Sequence, residues 1–295
     1  MTPRHGTADA RDFRAVDQSP DPSAMIAMMD RLRPLQRAAR AVLLDRLHLE
    51  DAHAALDVGC GTGDDLIEMA RRLPPGCRVE GVDASEAMIG EARRRAAAAG
   101  IDATFRVADA LSLPYPDAEF DVCRMKTVLI HVADPGQAVR EMVRITRPGG
   151  RVGVLEMDEG SIVLDHPDQH VTRTILDAIC EARVQPLIGR QLHRLFGEAG
   201  LTGMTVDPIA FPAYFEAIRR QFGPTVTRLR DEGALTAEQA DDWWSWLACQ
   251  AEAGTFTCTA TTFAVTGTRP PPAGRPVTAS NSGGQRQPSP GEDPG

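Results

Sequence analysis

Short apolar runs alternate with amphipathic segments through the middle of the chain, between about residues 54 and 157. The apolar runs are short and rich in branched residues, which is typical of buried strands. Between the first two runs, Leu66, Met69 and Leu73 lie on one face of a helix. This alternation predicts βαβ units around a parallel sheet. The predicted strands are 54–58, 78–83, 103–109, 120–125 and 151–157, and further helices are predicted over 85–100 and 136–145.

Two more apolar runs follow, at 203–211 and 255–265, and they bring the predicted sheet to seven strands. Helical patterns over 22–47 and 166–200 fall outside the βαβ scheme. They predict either elements that cover a ligand or helices that pack on the sheet. Thr236 and Gln239 form a capping box that begins another helix before the last strand.

These patterns divide the chain into three parts. Residues 1–48 are predicted to form an N-terminal helical cap, and residues 49–268 a Rossmann-like α/β domain with helices on both faces of its sheet. Helical lid elements are expected as insertions near 160–190 and 211–252. From Arg269 to Gly295 the sequence is rich in proline, glycine and serine without an apolar period, which predicts a disordered tail.

Composition and charge exclude several function classes. The 41 acidic and 32 basic side chains give a net charge of −9, and no basic block is present, so nucleic acid is not expected as a partner. Six scattered cysteines lack metal-ligand spacing, which predicts buried thiols and no metal site. The chain starts without an apolar leader and contains no membrane-length apolar stretch, so a cytoplasmic location is expected.

A glycine-rich turn, Gly59-Cys60-Gly61-Thr62-Gly63, follows the first predicted strand and begins a helix. Glycines allow a tight turn and a close approach of a ligand to the backbone. Alone, such a turn fits NAD, FAD or S-adenosylmethionine. A dinucleotide fingerprint requires glycine where this chain has Asp64, and Asp64 with Asp65 would repel a pyrophosphate at the helix N-terminus. The turn therefore favours S-adenosylmethionine.

Two further acidic residues follow predicted strands. Asp83 ends the second strand about 20 residues beyond the glycine turn, where a carboxylate accepts hydrogen bonds from ribose hydroxyls. Asp109 ends the third strand and is a candidate acceptor for the adenine amine. Because the carboxyl ends of parallel strands meet at one edge, these groups predict an adenosine-binding site there.

Five ordered motifs, LDVGCGTG, GVDAS, VADALSLPYPDAEFD, VLIHVADP and RPGGRV, resemble those of the class I S-adenosylmethionine-dependent methyltransferases. The resemblance covers about residues 50–157. It is strongest to the branch that contains ubiquinone and menaquinone biosynthesis enzymes and natural-product tailoring enzymes. It implies a seven-stranded, mostly parallel sheet whose last strand is antiparallel, and S-adenosylmethionine as the cofactor.

The resemblance also implies roles for individual residues. For Met88, which the resemblance places at a face of adenine, ordinary core packing is the alternative. Asp57 is expected to be structural or to reach the cofactor amine through water, and Asp64 and Asp65 to be simple helix charges. The implied cofactor contacts are Gly59 and Gly61 to the methionine moiety, Asp83 to the ribose, Ala84 and Met88 to the faces of adenine, Asp109 and Ala110 to its edge, and the backbone near Lys126 to the methionine amino group.

Methyl transfer from a sulfonium needs little beyond alignment of the nucleophile, so no catalytic base is required. His131 is the candidate base, because histidine is partly neutral near pH 7, but a supporting role is favoured. Arg124 and Lys126 are expected either to orient an acidic or phenolic acceptor or to form a solvated pair. Glu156 and Asp158 are expected to cap a helix or lie in a loop, with an acceptor contact as the alternative.

The sequence therefore predicts a methyltransferase for a small-molecule acceptor of apolar or aromatic character. The aromatic residues between the last two strands, including Trp243, Trp244 and Trp246, are expected either to line the acceptor pocket or to pack as core. A homodimer is left open. Two alternative functions remain: a methyltransferase-like enzyme with a non-methylating reaction such as cyclisation, and an NAD(P)-dependent oxidoreductase.

Overall fold

Seven strands form one sheet in the described part of the chain, which comprises residue 17 and residues 22–271 of the computed structural model. Their order is β3-β2-β1-β4-β5-β7-β6. β1 to β5 pair in parallel, whereas β7 runs antiparallel to both neighbours, β5 and β6. This confirms the predicted fold class. The strands are β1 Ala54–Val58, β2 Arg78–Asp83, β3 Thr104–Val107, β4 Phe120–Lys126, β5 Thr146–Leu164, β6 Thr202–Pro212 and β7 Cys258–Thr268.

Helices cover both faces of the sheet. Helices α2, α3 and α4 bury apolar side chains in the core of one face, and α5 with α7 does so on the other. α5 begins at Pro135, where Asp134 caps it by accepting a hydrogen bond from Gln137 N. The helices are α1 Pro22–Leu32, α2 Arg37–Arg46, α3 Asp64–Ala70, α4 Glu86–Ala98, α5 Pro135–Ile145, α6 Gln169–Glu181, α7 Ile188–Glu198, α8 Phe215–Asp231 and α9 Ala237–Glu252.

β5 is much longer than the predicted 151–157. A bulge between Asp158 and Val163 interrupts its pairing, after which Leu164 pairs with Cys258 of β7. Both residues join a separate apolar core that α6, α8 and α9 complete. These three helices lie in the region of the predicted lid insertions and are called the lid bundle; that they cover a ligand stays a prediction. α7, which the sequence pattern joined to α6, packs against the main sheet instead.

The predicted N-terminal cap has two different parts. α2 is integral to the main core, and Gly153 of β5 leaves room for Leu43 and Leu47, which a Cβ at that position would crowd. α1 instead lies over α4, where Met25, Ile26 and Met29 pack around Met88.

Arg269, which the composition assigned to the disordered tail, is anchored. Its backbone pairs with Gly149 and Gly150, and its guanidinium donates to the carbonyls of Arg144 and Thr146 at 2.7 and 2.5 Å. These contacts hold Arg269 directly after the end of β7, while the disordered tail predicted for 269–295 stays a prediction. Residues 272–295 lie outside the described residues.

The longest helix in residues 22–271 is α8, with 17 residues. No helix of this range combines the length and apolar character that crossing a bilayer requires. Across the same range, no three His, Cys, Asp or Glu side chains are grouped so that they could hold a metal ion.

Candidate functional site

The glycine turn follows β1, and three of its residues adopt left-handed conformations: Gly59, Gly61 and Gly63 have φ values of +69°, +50° and +78°. A Cβ at Gly59 would overlap the Val128 side chain, and one at Gly63 would lie 3.0 Å from Ala92 Cβ. The turn therefore needs glycine for its own packing. Glycine is therefore required here for packing as well as for the close approach of a ligand that the sequence predicts.

Asp83 at the end of β2 faces this turn. Its Oδ2 accepts from Gly61 N at 2.8 Å and its Oδ1 from Ser85 N at 2.9 Å. Burial raises the pKa of this carboxyl. Ala84 N is a third backbone donor to this carboxyl. A carboxylate has about four acceptor positions, so three backbone donors still leave capacity for a further one. Asp83 can thus hold the glycine turn and still accept from a ribose hydroxyl.

The other predicted adenosine contacts follow the same edge of the sheet. Ala84 and Asp109 are exposed and Ala110 is half-buried, all within three residues of the ends of β2 and β3. Asp109 Oδ1 accepts from Leu111 N at 2.9 Å. Met88 is buried beneath α1, in contact with the N-terminal cap.

Asp17 also reaches this site, which the sequence pattern did not indicate because the residue stands in a polar stretch without periodicity. Its carboxylate accepts from Ser85 Oγ at 2.6 Å and from Glu86 N at 2.8 Å. Ser85 in turn caps α4 by accepting from Met88 N. Met29 of α1 lies against Gly61. Met29 of α1 therefore borders the glycine turn, and Asp17 borders the start of α4.

A buried ion cluster lies beneath the glycine turn. Arg124 of β4 stands in register with Asp57 of β1. One Nη atom of Arg124 donates to both Asp57 oxygens at 2.8 Å, and the other lies 3.0 Å from Asp65 Oδ2. The Arg124 side chain is 2% exposed and that of Asp57 is 1% exposed. The guanidinium thus joins two strands to the first turn of α3.

Two further cations complete this cluster. Lys126 Nζ lies 3.2 Å from Asp65 Oδ2, and Arg40 of α2 lies 3.2 Å from Asp65 Oδ1 and 2.9 Å from Glu68 Oε2. Burial raises the pKa of Asp65, but Arg124, Lys126 and Arg40 outweigh it and hold that pKa well below its ordinary value. Burial raises the pKa of Asp57 to about 6, although Arg124 opposes the shift.

These contacts correct three predictions. Arg124 is neither solvated nor directed at an acceptor, because one of its Nη atoms binds the Asp57 carboxylate and the other binds that of Asp65. Asp65 is a member of the ion cluster and not a simple helix charge, while Asp64 is bound by Arg33 and Arg95. One signal was available in the sequence: opposite charges on two neighbouring strands that are otherwise apolar must pair if both strands are buried.

The segment after β4 is held by a second buried carboxyl. Thr127 adopts a left-handed φ of +54°, and a 3₁₀ turn, Leu129–His131, follows. Glu156 of β5 is fully buried, and its Oε1 accepts from Val128 N at 2.7 Å and Leu129 N at 2.6 Å. Burial raises the pKa of Glu156 to about 8, although these N–H groups oppose the shift. Glu156 therefore caps this turn.

His131 ends the 3₁₀ turn and is half-buried. Asp134, the nearest carboxylate along the chain, caps α5 and accepts from Gln137 N at 2.8 Å. Asp158, two residues beyond Glu156, is fully buried and accepts from Arg190 of α7 at 2.5 and 2.7 Å. Asp134 and Asp158 therefore both have structural partners.

The aromatic residues between β6 and β7 belong largely to the lid bundle. Trp243 is 1% exposed and donates from Nε1 to Thr172 Oγ1 at 3.0 Å. The His166 ring lies 4.9 Å from that of Trp246, measured between centroids. These contacts make Trp243 a core residue of the bundle, in accord with the packing alternative.

Comparison with known proteins agrees with this architecture. The family described as "Methyltransferase domain" matches residues 55–150. A demethylmenaquinone methyltransferase from Thermus thermophilus is 35% identical over 158 residues, which cover 54% of this chain and 67% of that protein. An uncharacterized 37.1 kDa protein in transposon TN4556 of Streptomyces fradiae is 41% identical over 175 residues, or 59% of this chain and 50% of that protein.

Among solved structures, the YcgJ protein from Bacillus subtilis superimposes with a TM-score of 0.58 at 18% identity, over 79% of this chain and 99% of that one. This likeness concerns the fold. The chain spans about half the length of several curated relatives, with 50%, 52% and 48% of three of them covered.

Replacement of Arg124 by methionine should strongly destabilise the protein, because Asp57 and Asp65 would lose a buried partner. Breaking such a pair from one side costs about 3–5 kcal/mol of unfolding free energy, measurable by urea denaturation. Arg124→Met combined with Asp57→Asn should recover part of that loss. Arg140→Met, an exposed control, should change stability by less than about 0.5 kcal/mol. Equal effects of Arg124→Met and Arg140→Met would contradict the cluster's role.

Glu156 should make stability decrease as pH rises. Its folded pKa of about 8 exceeds the ordinary value of 4.5, so the native state binds the proton more tightly across that interval. In urea titrations between pH 5 and 8, the free energy of unfolding of the wild type should fall by up to about 1.4 kcal/mol per pH unit relative to that of Glu156→Gln. Glu141→Gln should show no such slope, since Arg144 lowers the pKa of Glu141. Parallel wild-type and Glu156→Gln curves would refute the shift.

Proposed function

Since the chain belongs to the class I S-adenosylmethionine-dependent methyltransferases, we propose that it binds S-adenosylmethionine and transfers the methyl group to a small-molecule acceptor. One observation carries the proposal: Asp83 accepts from the glycine turn through Gly61 N and retains acceptor capacity toward the open edge of the sheet. A carboxylate in this position suits a ribose diol.

The residues present fit the cofactor. Asp83 would accept from the ribose hydroxyls, while Ala84, Met88, Asp109 and Ala110 would surround the adenine. Gly59, Gly61 and the backbone at Lys126 would border the methionine portion. Asp57 would reach the amino group at most indirectly, because Arg124 already binds both of its oxygens.

When bound, the cofactor supplies a methyl group already activated by its sulfonium. The protein's part is then to align an acceptor with that methyl group and to exclude water, which together lower the barrier by several kcal/mol, roughly 7–11 in well-oriented systems. The cover formed by α1 over Gly61 and Met88 supports water exclusion. His131 would border the acceptor and support the pocket.

We propose an apolar or aromatic acceptor. The Thermus thermophilus relative is named for demethylmenaquinone, a quinone, which supports an acceptor bearing an apolar ring. The oxidoreductase alternative is disfavoured, because the matching family and the Thermus thermophilus relative are methyltransferases. Product mass distinguishes methylation from the cyclisation alternative.

Calorimetric titration with S-adenosylhomocysteine should give saturable binding, and Asp83→Ala should weaken it about tenfold or more, because hydrogen bonds to a charged acceptor are lost. Asp102→Ala removes an exposed carboxylate before β3, away from the site, and should leave affinity unchanged. Incubation of the wild type with S-adenosylmethionine and a panel of phenols, quinones, carboxylic acids and amines should yield a product one methyl group heavier. A wild type that binds neither S-adenosylhomocysteine nor S-adenosylmethionine would contradict the proposal.

A further inference from the structure

Glu156 provides a buried carboxyl oxygen where the backbone presents consecutive donors. The N–H groups of Val128, Leu129 and Ile130 all face its carboxyl, and the first two donate to Oε1 at 2.7 and 2.6 Å. Successive N–H groups of this kind form a concave anion site. Here a side chain of the neighbouring strand fills it from inside the sheet.

The turn held in this way is under backbone strain. Thr127, a β-branched residue, adopts a left-handed φ of +54°, which such residues avoid unless their surroundings impose it. Thr127 N donates to Leu155 O at 2.9 Å, and Glu156 binds the next two N–H groups. Leu155 and Glu156 of β5 therefore impose the strained exit from β4.

Three parts of the candidate site meet at this turn. Val128 presses against Gly59, where any Cβ would overlap its side chain. His131 ends the turn. Gln185, from the connection between α6 and α7, donates through N to Ile130 O at 3.2 Å. A displacement of the Val128–His131 turn would therefore move His131, which is proposed to border the acceptor, relative to the glycine turn.

We propose that Glu156 is a positioning residue for methyl transfer: it holds the Val128–His131 turn against the glycine turn and so sets the alignment of donor and acceptor. This inference rests on the proposed function. A purely structural carboxyl would affect stability alone, whereas a positioning residue affects turnover in protein that remains folded. Misplacement by about 1 Å lowers turnover on the order of 100-fold.

The test compares Glu156→Ala with Glu156→Gln, which retains an oxygen for the two N–H groups. In protein held well below its melting temperature, Glu156→Ala should reduce kcat about 100-fold while the Kd of S-adenosylhomocysteine changes much less. Glu156→Gln should restore most of kcat. Glu156→Asp keeps the carboxyl group but retracts its oxygen from the turn, so it should reproduce the loss of kcat. It serves as the test if the alanine variant does not fold.

Asp158→Asn is the matched control, since it alters a fully buried carboxylate on the same strand that binds Arg190 and not the turn. It should lower the melting temperature with little effect on kcat. Unchanged kcat in folded Glu156→Ala or Glu156→Asp, with normal wild-type turnover, overturns this inference alone. A wild type that binds no S-adenosylhomocysteine and transfers no methyl group overturns the proposed function and this inference together.

Discussion

The buried guanidinium of Arg124 is the contact on which the rest of the site depends. It stands on the central strand pair, donates to Asp57 on β1 and pairs with Asp65 at the start of α3. The glycine turn runs between those two carboxylates, so one cation holds the chain on both sides of the turn. Burying these charges is costly unless each is paired, and the cluster meets that condition with Lys126 and Arg40 around Asp65.

A second constraint operates on the opposite side of the turn. Glu156 fixes the exit from β4, and Val128 then occupies the space that Gly59 leaves open. The glycine turn is thus fixed from beneath by ions and from the side by a capped 3₁₀ turn. Both constraints act from below or beside the glycine turn. They leave Asp83 and the carboxyl edge of the sheet available to a ligand. A prearranged site of this kind suits a reaction that depends on alignment.

The periodicity of apolar residues was sufficient to predict the strands and the mostly parallel sheet, because its inner strands β1, β2 and β4 are buried on both faces. The location of the site stays a prediction. The periodicity did not predict the outer half of β5, since Asp158 and Glu159 interrupt the apolar run. Their partners Arg190 and Arg183 are distant in sequence. Arg124 was misinterpreted for a similar reason: its partners become visible only once β1 and β4 are placed in register. Asp17 and Arg269 act through isolated polar contacts that leave no pattern in the sequence.

A crystal structure with S-adenosylhomocysteine bound tests the central claim most directly, namely that the glycine turn is a cofactor site held by ions that do not themselves bind the cofactor. The account predicts ribose hydroxyls on the Asp83 carboxylate, with both Asp57 oxygens still bound to Arg124. A structure in which Asp57 leaves Arg124 to bind the cofactor amine directly, or in which the ribose lies away from Asp83, would contradict it.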